Sequence, residues 1–234
     1  MMLSIIIPTY NEAKIIGDLI QLLQCNLVGK NAEIIVSDGG SNDQTVEIAQ
    51  QLGALVLVSP VKGRAGQMNH GVRKSNGDVY FFLHADSSPV LTFYDEIASS
   101  IKNGFNCGSF RTTFDSPSFL LKINAYFTRF NYLFFRGGDQ GVFVTKKLWD
   151  EVGAYKEEMV IMEDYDYIAR LWKSGVFKLI PKATLVSARK YDENSWLRVQ
   201  LANLKIVRMY KNGASQLAII DKYKELLRYR KNAF

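Results

Sequence analysis

Cysteine, histidine and proline are scarce in this chain of 234 residues, with two, two and five of them. The cysteines, Cys25 and Cys107, fall in separate predicted elements and make no CxxC pair. That argues against a disulfide-stapled scaffold and suits free thiols in a reducing compartment, leaving at most one disulfide. Two histidines without an HExxH run, and no clustered cysteines, leave nothing to hold zinc. No GxGxxG follows the first predicted strand, which argues against a dinucleotide-dependent dehydrogenase. No apolar run approaches the roughly 20 residues that a spanning helix needs. The start, Met1-Met2-Leu3-Ser4, also has no basic segment ahead of an apolar one. The expectation is a soluble or peripheral protein of the cytoplasm, possible contact being with the inner face of the membrane. Internal repeats, low-complexity segments and Pro/Gly-rich linkers are missing too.

What is present fits one globular domain. A hydrophobic content of 47% against 22% charged residues is enough to build a core at this length. The net charge of +6 calls for anionic partners, which nucleic acid, anionic lipid and phosphorylated small molecules all satisfy. A nucleic-acid binder is argued against by the lack of zinc-finger spacing, of aromatics set between basic residues, and of a dense basic helix.

Strand and helix patterns alternate through the first half. Leu3 to Ile7 is a continuous, β-branched apolar run of the kind buried in a parallel sheet. Ile15, Ile16, Leu19, Leu22 and Leu23 recur at helical spacing. Further strands are predicted at 33–37, 54–58 and 78–83. Ser41 and Gln44 predict a capping box for a helix running to about Leu52, and another helix is predicted over 65–74. This alternation predicts an α/β fold, a mostly parallel Rossmann-like sheet with helices on both faces. Later elements are a helix near 92–102, strands near 108–114 and 141–145, and helices over 146–152 and 163–174. The tail from 195 to 229 reads as helical with a break at Asn212-Gly213. The division expected is a catalytic domain over 1–190 and a helical extension over 191–234.

Ligands of open α/β sheets bind outside the carboxyl ends of the strands. Those ends read Pro8-Thr9-Tyr10-Asn11-Glu12, Asp38-Gly39-Gly40-Ser41-Asn42-Asp43, Lys62-Gly63-Arg64-Ala65-Gly66-Gln67 and His84-Ala85-Asp86-Ser87. Turn chemistry alone explains any one of them, but hardly four in succession.

These tips, with Ser4-Ile5-Ile6-Ile7 ahead of the first, Met68-Asn69 after the third and Glu163-Asp164-Tyr165-Asp166 further on, resemble the family 2 glycosyltransferases. The resemblance runs from about residue 3 to 190. It implies a GT-A fold and transfer of a sugar from a nucleotide-diphospho-sugar to an acceptor hydroxyl, with inversion. It implies a nucleotide cradle from Pro8, Thr9, Tyr10 and Glu12, with Asp38 accepting from the base; a UDP-sugar is favoured over a GDP-sugar. Arg64 either pairs with a phosphate, the favoured reading, or caps its turn. The family's Asp-x-Asp is His84-Ala85-Asp86 here. Asp86 therefore keeps the metal, Mn²⁺ or Mg²⁺, while Ala85 lies beside the nucleotide. His84 contacts ribose, phosphate or a metal-bound water, or is simply a hydrogen-bonded histidine; an imidazole beside a carboxylate leans the metal towards Mn²⁺. Asp164 is the implied base and Glu163 the second candidate, against the plainer reading of acidic enrichment in a first helical turn. Ile161, Tyr165, Ile168 and Trp172 are expected to anchor that helix, with Glu163, Asp166 and Arg170 opposite. Asp139 and Gln140 either meet acceptor hydroxyls or sit in a plain turn. Arg189 and Lys190 either meet the diphosphate or form a solvated pair.

The aromatic stretch Phe119 to Phe135 nearly makes a helical stripe, read first as a core helix and second as a lipid-facing or polyprenyl groove. Lys205, Arg208, Lys211, Lys222, Lys224, Arg228, Arg230 and Lys231 of the tail would add attraction to anionic lipid. Because the first metal carboxylate is missing, a sugar-nucleotide binder without catalysis stands as the rival reading.

Overall fold

The computed structural model describes residues 1–227, so Arg228, Arg230 and Lys231 of the basic tail lie outside the described residues. The chain opens with β1 (Leu3–Thr9), α1 (Ile16–Asn26), β2 (Ala32–Asp38), α2 (Thr45–Gln51), β3 (Leu55–Val58), α3 (Arg64–Arg73) and β4 (Val79–Phe82). It continues through β5 (Ser87–Ser88), α4 (Phe93–Lys102), β6 (Cys107–Phe114), α5 (Phe119–Phe127), β7 (Val142–Thr145) and α6 (Lys146–Val152). The last elements are α7 (Glu163–Ser174), β8 (Phe177–Val186), α8 (Trp196–Lys211) and α9 (Gln216–Leu226).

The sheet runs in the order β3-β2-β1-β4-β7-β6-β8-β5. Strands β1 to β4 pair in parallel, β7 enters antiparallel between β4 and β6, and β8 runs parallel to β6. β1 is buried throughout because helices cover both of its faces. Leu3, Ile5 and Ile7 pack with α1 and Phe93 of α4, while Ile6 packs with Met68 of α3 and Tyr167 of α7. Each such side chain, fully buried, contributes roughly 1.5–3 kcal/mol. Pro8 lies beyond the last pairing with β4, where its missing N–H leaves no gap on that side. α3 comes so close to β1 that a Cβ on Gly71 would lie 2.5 Å from Ile6 Cγ2.

Three expectations need correction. The capping box at Ser41 is not made: Asp43 accepts from the backbone N–H of Thr45, and Ser41 is drawn into the strand-tip loops. The buried face of α7 carries Glu163, Tyr167, Ile168 and Leu171, whereas Tyr165 and Trp172 are half-buried. Glu163 and Asp166 face inward because each finds a cationic partner there. The aromatic stretch is not a core helix. α5 ends at Phe127 and buries only Leu121, while Phe119, Tyr126, Phe127, Phe130, Tyr132 and Phe134 stay exposed. β8, ten residues long, is not among the strands expected from sequence, since its Lys178, Pro181 and Lys182 break the hydrophobic pattern.

α8 and α9 form a small core of their own from Val199, Ala202, Ile206, Ile219, Ile220 and Tyr223, closed by Ile161. Tyr210 donates to Asp166, and the Gln216 side chain accepts from Val160 and Ile161, so the two helices are tied to the start of α7. No helix among the described residues is long and apolar enough to cross a membrane.

Candidate active site

The first two strand tips interlock. Asp38, buried at the end of β2, accepts from Thr9 Oγ1 (3.0 Å), the Gly40 and Ser41 amides (2.8 and 2.7 Å) and Ser41 Oγ (2.5 Å). These four donors fill the acceptor positions of the carboxylate. In this conformation Asp38 therefore shapes the loop. Asn11, left-handed at φ 55, accepts from the Asn42 amide and donates its own N–H to Ser41 Oγ. Gln67, to which no role was assigned from sequence, closes the arrangement from α3. Its Nε2 donates to the carbonyls of Thr9 and Ser37 at 2.6 and 3.0 Å. The signal was a polar residue on the inner face of a helix, visible only once that face is known.

Thr9 and Pro8 are buried, and Ala85 packs into the apolar core, so none of these side chains reaches the cleft. Tyr10, which is 41% exposed, and Glu12 remain on its rim.

The fourth tip meets the far end of the chain. Arg189, in the 3₁₀ turn after β8, grips both oxygens of Glu12 at 2.9 Å and reaches Asp86 Oδ2 at 3.1 Å. Burial opposes the charge, but Glu12 and Asp86 raise the pKa of Arg189 and keep it cationic. Arg189 is thus held between two carboxylates and is not half of a solvated pair with Lys190. Lys190 is turned elsewhere: its Nζ donates to the Tyr223 hydroxyl of α9 at 2.6 Å.

α7 brings the second carboxylate cluster. Its N-terminus follows Met162, left-handed at φ 66, a conformation uncommon for a side chain of that size and placed beside the candidate base. His84 Nε2 lies 3.4 Å from Asp164 Oδ2, both side chains 13% exposed. Burial pushes Asp164 up, but His84 outweighs it and holds the carboxyl below the usual range. Conversely, burial pushes His84 down and Asp164 more than restores it. Asp164 also lies against the backbone of Gly138, where a Cβ would come within 2.1 Å of Oδ2. Only glycine leaves room for that carboxylate.

Glu163 is more deeply buried and pairs with Arg64 Nε at 2.7 Å, leaving the rest of the arginine, 45% exposed, at the rim. Burial outweighs Arg64 and raises the Glu163 pKa. Asp139 is likewise raised by burial and lies in the field of His84, Asp86 and Asp164. Gln140 is structural: its amide donates to Phe135 O, and its carbonyl accepts from Thr184 Oγ1.

No group of three or more metal-ligating side chains gathers among the described residues. His84 Nε2 is turned to Asp164. One carboxylate, Asp86, fits a cation that brings its remaining oxygens with a diphosphate, as Mg²⁺ commonly does, and does not fit an all-protein cage.

The model of the family described as glycosyl transferase family 2 matches residues 4–153. A dolichol-phosphate mannosyltransferase of Pyrococcus furiosus is 34% identical over 109 residues, which span 44% of this chain and 31% of the relative. The chain thus covers about a third of that protein's length. Among solved structures, a mannosyltransferase of Pyrobaculum calidifontis with GDP-Man and Mn²⁺ superposes with a TM-score of 0.68 at 17% identity, over 96% of this chain and 69% of that one. TarS residues 1–349 of S. aureus with UDP-GlcNAc gives 0.62 at 17% identity, over 97% and 71%. These likenesses share the curled, mostly parallel sheet of the GT-A fold. By its family model and its fold, the chain belongs to glycosyl transferase family 2.

Proposed function

We propose that this chain transfers a glycosyl group from a nucleotide-diphospho-sugar, a UDP-sugar before a GDP-sugar, to a hydroxyl acceptor with inversion. The observation that carries the reading is the convergence of Glu12, Asp86 and Asp164 on one cleft from three distant parts of the chain. The acceptor oxygen attacks the anomeric carbon as the bond to the diphosphate oxygen breaks, and Asp164 takes the hydroxyl proton. His84 holds that carboxylate in its ionised, proton-accepting form. General base catalysis of this kind contributes roughly 10²–10⁴-fold. Glu163, buried against Arg64, is better suited to fixing Arg64 than to meeting substrate. A divalent cation held by Asp86, Mg²⁺ or Mn²⁺, would neutralise charge on the leaving diphosphate. Tyr10 and Glu12 border the nucleoside, Arg64 and Arg189 the phosphates, and Asp139 the acceptor side. Complexes of structural neighbours with GDP-Man and Mn²⁺, and with UDP-GlcNAc, support a sugar nucleotide and a metal without choosing the base.

Residues 1–190 form the catalytic part in this reading and 191–234 an appendage. A lipid-linked acceptor is supported by the exposed aromatics of 119–135 and by a relative named for dolichol phosphate. The test is calorimetric titration with UDP and GDP, each with and without Mn²⁺ or Mg²⁺, on the wild type and on Asp86→Ala. One diphosphate should bind in a metal-dependent way that the substitution abolishes. Binding of neither nucleotide under any condition refutes the reading, and binding without turnover of any sugar nucleotide favours the non-catalytic binder.

A further inference from the structure

A cavity of about 380 Å³ opens between β6, β8 and α5, and Arg111, Thr112, Ser116, Lys122, Tyr126 and Arg129 are among its lining residues. No residue placed in the sugar-nucleotide cleft lines it, and none of its lining residues is acidic. Its three cations enter no ion pair among the described residues. Arg111 Nε is buried without a hydrogen-bond partner, and so is the hydroxyl of Thr112, a residue only 4% exposed. Arg136, 5% exposed and not among the lining residues, lies in the fields of Asp139 and Arg111; its Nη2 donates to the carbonyls of Thr128 and Phe130, while Nε and Nη1 make no hydrogen bond. Asp115, which is next to the lining in sequence, is committed to the Ala188 amide.

Lys122 and Arg129 are exposed, and Arg129 lies 3.8 Å over the Tyr126 ring, but Arg111 Nε and the Thr112 hydroxyl are buried without a partner, which is costly, and native structures ordinarily pair such donors. Guanidinium groups combined with an ammonium and hydroxyls form the donor set that fits a phosphate. The volume lies at the small end of ligand sites, which suits a phosphate ester better than a nucleotide. We propose that this pocket binds a phosphomonoester group, as a second anion site separate from the sugar-nucleotide cleft. The group is either that of a soluble ester or that of a lipid headgroup. α5 serves both sources: it supplies Lys122 to the pocket and presents Phe119, Leu120 and Phe127 to the outside. The proposal stands whether or not the cleft transfers sugar.

The full chain would be titrated with inorganic phosphate and glycerol 3-phosphate. It would also be sedimented with phosphatidylcholine vesicles containing phosphatidic acid, or phosphatidylserine at matched charge. Both measurements would be repeated on Arg111→Gln and on Lys122→Gln, the latter at an exposed position that leaves the fold intact. UDP and GDP titrations run in parallel report on the cleft independently. A soluble ligand should bind with an affinity that falls at least about tenfold in each variant, nucleotide behaviour being unchanged. A lipid source should instead give pelleting that prefers phosphatidic acid and weakens about tenfold in Lys122→Gln. The proposal is overturned if neither arm shows binding, if Lys122→Gln binds as the wild type does, if phosphatidylserine pellets the protein equally well, or if nucleotide displaces the anion.

Discussion

The cleft at the strand tips and the flank formed by β6, β8 and α5 both concentrate charge, but they treat it in opposite ways. In the cleft Glu12, Asp38, Asp43, Asp86, Glu163 and Asp164 each have a donor or cation already in place. On the flank Arg111, Lys122 and Arg129 make no ion pair among the described residues, and the aromatics beside them face outward. The first arrangement is preorganised, so a ligand there replaces existing partners and is selected by geometry. In the second, Arg111 Nε and the Thr112 hydroxyl are buried without a partner beside two exposed cations, so a ligand there adds what is missing and is selected by charge.

Changes to the two regions should therefore differ in kind. The largest effect is expected at the candidate base: Asp164→Asn should lower kcat roughly 10²–10⁴-fold with nucleotide affinity unchanged, measured by turnover beside calorimetry. A fall of less than tenfold would move the proton transfer elsewhere. Gly138→Ala comes next. Its Cβ would collide with the Asp164 carboxylate, so kcat should drop by at least about tenfold, the scale on which displacing a reacting group by an ångström is felt. Wild-type turnover in this variant would mean that Asp164 has room to move and that its position is not decisive.

Asp38→Ala tests preorganisation as a matter of stability. It strips two backbone amides and two hydroxyls of their acceptor and should cost about 3 kcal/mol in denaturant unfolding. A loss under 1 kcal/mol would show that the loops hold without it. Asp166 gives a smaller effect that depends on pH. Burial raises this carboxyl, but Lys156, Tyr210 and Arg170 outweigh that and place it below its ordinary 3.8. The stability it contributes is present above 3.8 and is lost as pH falls through its folded value. Asp166→Asn should thus narrow the difference in unfolding free energy between pH 7 and pH 3, and an unchanged difference would sink the assignment. On the flank, Phe127→Ser should alter stability by no more than about 0.5 kcal/mol while weakening any vesicle binding. A large loss of stability there would return the aromatic stretch to the core.

Much of the fold was open to reading from the chain alone. α6 and α7 have the bounds that their periodicity implies, and β1, β2 and β4 differ from expectation by one or two residues at an end. Local pattern is a good guide where an element is buried on the faces its period implies. It misled at α7, where Glu163 and Asp166 turn inward because Arg64 and Lys156 come from elsewhere to meet them and Arg170 pairs with Asp166 one turn along the same helix. It misled again at 119–135, where aromatic content looks the same in a core helix and on an exposed surface.

The candidate site divides in the same way. The order of the motifs was sufficient to identify Asp86 and Asp164 as the carboxylates to examine. Nothing local could say that Asp38 would be consumed by its own loop, that Gln140 and Ala85 would be buried, or that Gln67 would tie two tips together. By itself the sequence determined the α/β alternation, the family and the strand ends where carboxylates gather, since each depends on short-range periodicity and spacing. Only the tertiary structure decided which charges meet. Arg189 lies 177 residues from Glu12, and Asp164 touches both a histidine at the end of β4 and a glycine in a distant turn. Such contacts are fixed by how strands and helices stack, a long-range packing outcome that no local pattern encodes.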